Sequence, residues 1–197
     1  MVTNICVAIW LRKIFEENIR FGFNYILMKK SQIVEMPRFF DTYIKIVEDV
    51  DLVEGLEKTL NMFEREKEQI ARVAEKRYAP GKWTPKEIIQ HIIDNERVQS
   101  YRAMRISRGD KTLLPGYDEE LLATNANVSP RTLEELLEEF STLRRANILM
   151  FKNCTEEMLL RSSMCYKVNI SALALGFVLI GHQEHHMNVM REKYYHL

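Results

Sequence analysis

Residues that break helices are scarce in this chain: seven glycines and five prolines among 197. With abundant Glu, Leu and Lys, that scarcity predicts an all-α protein. Cysteine is scarce as well. Cys6, Cys154 and Cys165 are odd in number and form no CxxC pair, which favours reduced thiols in a cytoplasmic protein over a disulfide. Charge of either sign is missing in excess, since 28 basic residues balance 28 acidic ones. No electrostatic footprint for nucleic acid or an acidic membrane surface results, so neither is expected as a partner. Long hydrophobic runs are missing too. The longest, Ile170 to Gly181, is broken by Ser171 and is too short to span a bilayer. No basic n-region with a following A-x-A site marks a signal peptide. There is no useful strand alternation, low-complexity tract, internal repeat or HExxH motif.

What is present reads as one domain with a preceding extension. Met1–Glu35 is rich in Asn, Ile, Phe, Tyr and Lys and differs from the rest. It is expected to be a helical or loosely packed segment outside the domain, with Met36-Pro37-Arg38 as a natural start. The domain, 36–197, then parses into four helices. The first is predicted from Leu52 to Lys76, closed by Ala79-Pro80-Gly81. The second opens at Thr84-Pro85-Lys86-Glu87, where Thr84 is an N-cap, Pro85 suits the first turn and Glu87 closes a capping box. It should stop near Arg108-Gly109-Asp110. A long loop, Lys111 to about Pro130, follows, and loops of that length tend to be functional. The third helix opens at Thr132 with Glu135 as its capping-box partner. Thr155 can start a short connecting helix, and the fourth main helix runs from Asn169 or Ser171 to Tyr195.

Five histidines occur in the chain, and three of them carry the functional reading. His182 and His186 are four apart in a helix, so they stack on one face one turn apart. Such a pair can grip one metal ion. His91, on the apolar second helix, can complete a His₃ set with an open coordination position, which distinguishes catalytic from structural zinc sites. His185 lies off that line and reads as a rim residue. Asp94, one turn after His91, can hold a ligand imidazole through its free N–H or pair with Arg97. Glu96 reads as the partner of a basic residue such as Arg97 or Arg144. Glu184 falls on the wrong side to be a general base. Tyr117 and Asp118 can line a pocket mouth from the long loop, and Arg144-Arg145 can bind an anionic group or form a solvated face. Met150, Met164, Met187 and Met190 read as core filler.

Three blocks of sequence, in order, resemble the DinB-like superfamily, including its YfiT-type members. Trp83-Thr84-Pro85-Lys86-Glu87-Ile88-Ile89-Gln90-His91-Ile92-Ile93-Asp94-Asn95-Glu96 resembles that family's histidine-bearing helix. Arg105 to Gly116 resembles the loop that follows. Gly181-His182-Gln183-Glu184-His185-His186 resembles its closing helix. The resemblance covers about Met36 to Leu197. It implies an up-down-down-up four-helix bundle, often a homodimer, with a divalent metal, zinc or nickel, on His91, His182 and His186. It also implies a metal-dependent hydrolase or a small-thiol transferase acting on a small-molecule substrate. From their own positions, Asp94 and Tyr117 are the candidate catalytic residues. The competing expectation is a non-catalytic, metal-stabilised stress or binding module.

Overall fold

A computed structural model describes residues 26–197 of the protein. Its α-helices are α1 (Asp41–Ile46), α2 (Leu52–Leu60), α3 (Met62–Arg65), α4 (Lys67–Val73), α5 (Pro85–Ser107), α6 (Glu119–Asn125), α7 (Leu133–Lys152), α8 (Glu156–Leu160) and α9 (Ala172–Lys193). A two-stranded antiparallel hairpin, β1 (Ser162–Cys165) and β2 (Val168–Ser171), precedes α9.

The capping chemistry read from the sequence is in place. Thr84 and Thr132 each accept a hydrogen bond from the backbone N–H of the glutamate three residues on, and each glutamate carboxylate accepts one from the threonine N–H. The first predicted helix is corrected: it breaks at Asn61 and Glu66 and ends at Val73. Near the first break the carbonyls of Lys58 and Thr59 bond outside the helix, to Arg65 and to Gln183 Nε2. The hairpin is a second correction. Ser171 ends β2 and caps α9, accepting from Ala174 N at 3.1 Å. The long loop is a third. It holds α6, capped by Asp118, and is pinned to the hairpin by Leu114 N to Met164 O (3.1 Å) and Tyr166 N to Leu114 O (2.7 Å).

Side-chain pairings fix the bundle's directions. Along α2 and α9, Leu52 meets Gly176, Gly55 meets Ile180 and Thr59 meets Gln183, so these helices run parallel. Along α5 and α9, Trp83 meets Tyr194 while His91 meets His182, so these run antiparallel. Helix α7 follows α5 in parallel, with Gln90 bonded to Arg131 and Glu96 to Arg144. It opposes the first helical stretch, with Glu57 bonded to Lys152 and Lys67 to Glu134. The result is the up-down-down-up order. Each of the first two helical stretches packs on both of the last two.

Two apolar clusters fill the bundle. One gathers Leu56, Ile106, Phe151 and Phe177 at the hairpin end. The other gathers Phe63, Ile89, Leu136, Phe140 and Met187 at the opposite end. Between them, on every main helix, falls a layer of buried polar residues: Thr59, Glu96, Arg144, Asn147, His182 and Gln183. Met187 and Met190 are fully buried, whereas Met164 points out from β1 and is half-exposed.

The segment before α1 is described from residue 26. Met28 is buried, and its N–H donates to Asp51 Oδ2 at 2.7 Å. Ser31 N donates to Asp49 Oδ1 at 2.8 Å, and Glu35 accepts from Asn169. Residues 26–35 thus touch the domain. The remainder of the expected Met1–Glu35 extension, and Cys6, lie outside the described residues. Cys154 and Cys165 are free and buried, and burial pushes both thiols up. No helix among the described residues is long and apolar enough to cross a membrane.

Candidate metal centre

The heavily packed α5–α9 pair delivers the three histidines to one point. His91 Nε2 lies 3.0 Å from His182 Nε2, which lies 3.2 Å from His186 Nε2. One ligand nitrogen from each falls within 4.8 Å of the others. His185 is exposed at the rim, its ring 5.0 Å from that of His186.

The proton count at this point matters. A neutral imidazole Nε2 carries either one hydrogen or one lone pair. If His182 Nε2 donates to one neighbour, it has no lone pair for the other. If it accepts, one lone pair must serve two donors. One of the two short N···N contacts is therefore always poorly satisfied by hydrogen bonding alone. A cation between the three nitrogens satisfies all of them.

The rings are also held in the ligand-competent, neutral form. Burial, then the neighbouring histidines and Arg144, keep His182 well below the imidazole range. Burial, His91 and His185 push His186 down to about 3. Burial lowers His91, opposed by the charges of Asp94 and Glu120. Three neutral nitrogen donors fit a divalent ion of the zinc type. Nothing in the set adds negative charge to offset the ion's own.

Aromatic rings bracket the centre. Trp83, just before the Thr84 cap, lies 4.8 Å from the His91 ring. On the other side Tyr43, from α1, meets His182 and His185 edge-on at 5.1 and 5.5 Å. Gly181 permits this approach, because a Cβ there would overlap the Tyr43 carbonyl. A cleft of about 230 Å³ opens against His186, walled by Tyr78, Trp83 and Tyr194, with Lys82 and Glu120 at its edges.

These features match a known family. A family model of the DinB superfamily matches residues 57–190. The chain belongs to the DinB superfamily. Among solved structures, YfiT from Bacillus subtilis, described as "a probable metal-dependent hydrolase with an unusual four-helix bundle topology", is similar with a TM-score of 0.58 at 16% identity. The match covers 78% of this chain and 86% of that one. Comparison with curated proteins gave no match.

The other residues singled out in this DinB-superfamily chain fall as follows. Asp94 accepts from Gln90 at 3.0 Å and from Arg97 at 3.4 Å, and has no hydrogen bond to His91. Tyr117 OH accepts from Asn95 at 2.9 Å and donates to Glu119 at 3.3 Å. Burial and Glu119 push that phenol above its usual range, so it stays protonated. Neither residue lines the cleft. Glu96 pairs with Arg144, one of the two basic partners expected for it, through two bonds of 2.7 Å. Arg144 is neither an anion handle nor part of a solvated face: it is fully buried. Tyr43, Lys82, Glu120 and Tyr194 were not singled out by the sequence. Only Trp83 had a signal, its place in the first motif.

Proposed function

We propose that this chain is a divalent-metal-dependent enzyme that hydrolyses a small ester or amide at His91, His182 and His186, with zinc or nickel as the ion. The observation that carries this reading is the convergence of three neutral, largely buried imidazole nitrogens beside a solvent-reaching cleft. A structural metal site is closed by its protein ligands, whereas three histidines leave a position for water and substrate. A bound ion supplies Lewis acidity, which makes a water or a substrate thiol nucleophilic near neutral pH.

The chain's own residues do the rest. Burial keeps the three imidazoles unprotonated and aimed inward. Trp83 and Tyr43 fix the ring planes from either side, and Gln90 and Arg97 hold Asp94 beside His91. The aromatic walls of the cleft offer apolar contact to a substrate group. A small thiol as co-substrate would use the same site for transfer in place of hydrolysis. The described cysteines, buried with raised pKa, do not supply such a thiol themselves. Balanced charge supports a small-molecule substrate over nucleic acid or membrane, and reduced thiols support the cytoplasm. The family resemblance supports a homodimer.

The test is metal analysis of the purified protein, followed by paired screens for ester hydrolysis and thiol transfer with and without a chelator. Stoichiometric zinc or nickel with chelator-sensitive turnover is the expected result. A metal-free protein that takes up no added ion would overturn the reading.

A further inference from the structure

In an enzyme of this kind, a group placed to take the proton from the attacking nucleophile adds to what the ion supplies. The histidines would not serve, because their three converging nitrogens are the ones that would hold the ion. The carboxylates near the centre are mostly committed elsewhere. Asp94 is held by Gln90 and Arg97, and Glu96 is locked to Arg144 and Asn147. Glu119 accepts from Tyr117 and lies toward Tyr43. Glu184 is set among Lys58, Glu48 and Arg191, away from the cleft.

Glu120 stands apart from these. It is exposed, and no hydrogen bond or ion pair among the described residues engages it. Of the residues lining the cleft beside His186, it is the one carboxylate. Its charge also bears on His91 from the other helix of the pair. The placement is not accidental to the fold. Helix α5 ends far from the histidines and α7 begins near them. The connection must therefore run back along the bundle, and it lays α6 over the site. At that point Glu119 turns to the Tyr117 and Tyr43 side, and Glu120 to the cleft.

We propose that Glu120 is the catalytic proton acceptor of this site: its carboxylate takes the proton from a water molecule attacking a substrate carbonyl in the cleft beside His186. The water oxygen forms the new bond to carbon, and its proton passes to Glu120. On collapse, the carbon–leaving-group bond breaks and Glu120 returns the proton to the departing oxygen or nitrogen. The carboxylate is thereby regenerated, and no other co-reactant is consumed. This assignment rests on the metal-dependent reading above.

The experiment uses the full chain loaded with cobalt(II), whose visible absorption reports the ion's surroundings, with p-nitrophenyl acetate as substrate and azide as an anionic probe of the open position. Glu120→Gln should bind cobalt as the parent does. It should bind azide more tightly, on the order of 10-fold at low salt, because a repelling charge has gone. Its ester hydrolysis should fall roughly 10²-fold or more, the usual contribution of a general base. Glu120→Ala should lose as much and be partly restored by added formate, a rescue that a merely structural residue would not give. If cobalt does not bind the parent, or the loaded parent has no esterase activity, the metal-hydrolase reading fails and the assignment falls with it. If the parent binds cobalt and turns over but Glu120→Gln matches it in azide affinity or in rate, the metal reading stands and Glu120 is not the base.

Discussion

The Glu96–Arg144 network and the histidine triad lie in the same polar layer, close enough for the Arg144 charge to bear on His182. They are finished in opposite ways. Arg144 spends its guanidinium on both Glu96 oxygens, on Thr59 Oγ1 at 2.7 Å and on the Leu179 carbonyl at 3.3 Å. Asn147 adds a donor to Glu96 at 3.0 Å. No buried side-chain atom of Arg144, Glu96, Thr59 or Asn147 lacks a partner. This network joins all four helical stretches and leaves nothing for a ligand. In the triad, His182 Nε2 is in contact with two other nitrogens and has only one hydrogen or one lone pair to offer them. Completeness of hydrogen bonding, more than burial or charge, separates the tie that holds the bundle from the site that could hold an ion.

Breaking the closed network should have the largest effect. Arg144→Ala leaves the Glu96 carboxylate buried and unpaired, and chemical denaturation should show a loss of about 3–5 kcal/mol. The double change Arg144→Met with Glu96→Leu should recover most of it. If the single variant is as stable as the parent, the network is not the tie.

Breaking the open centre should act on the ion first. His182→Ala should abolish metal binding while circular dichroism still reports a folded bundle. The cost relative to metal-saturated parent is about 3 kcal/mol at a hundredfold excess of ion over Kd. Global unfolding on this one change would favour the structural-metal reading and erase the contrast with Arg144.

Gly181→Ala probes the packing of Tyr43 on the triad. The new Cβ must push α1 away, taking Tyr43 off His182, at a cost of about 1–3 kcal/mol. Calorimetry should show that loss together with weakened metal affinity. Unchanged affinity would show that Tyr43 does not position the ligand.

The effect that is smallest near neutral pH is graded by pH. In the ion-free protein the folded histidines resist protonation that the unfolded chain accepts below about pH 6.5. The unfolded state then binds more protons, so stability falls with falling pH, by about 1.4 kcal/mol per unit for each histidine held neutral. The loss spans from about pH 6.5 down to the folded value, about 3 for His186. His186→Phe should remove its share of the slope. An unaltered slope would show that this ring is not held neutral by the fold.

Much of this contrast could be read from residue order. The i, i+4 spacing of His182 and His186, with His91 on a capped apolar helix, marked one face on each of two helices. The capping boxes at Thr84 and Thr132 set those helices in place, because their donors and acceptors are local. The breaks at Asn61 and Glu66 could not be read, since Gln183, 124 residues from Thr59, takes a carbonyl there. The hairpin was hidden because its strands are four residues each and run directly into a helix cap. Tyr43 and Glu120 had no periodic or motif signal, and their places come from how α1 and α6 lie on α9 and α5. Asp94 remained divided between two readings because both partners are within helical reach.

The up-down-down-up order has a consequence for how the chain must fold. Of the four packed helix pairs, three join stretches separated by at least one other main helix. The fourth, α5 with α7, is parallel and needs a crossover as long as α5 itself, 23 residues or about 34 Å. No pair can close as a tight αα-hairpin. Nucleation must therefore bring distant parts of the sequence together before any pair is rewarded, which raises contact order and slows folding relative to a simple up-and-down bundle. The same requirement delays the histidine centre. His91 meets His182 only when the last helix docks, so metal binding reports the completion of folding rather than its beginning.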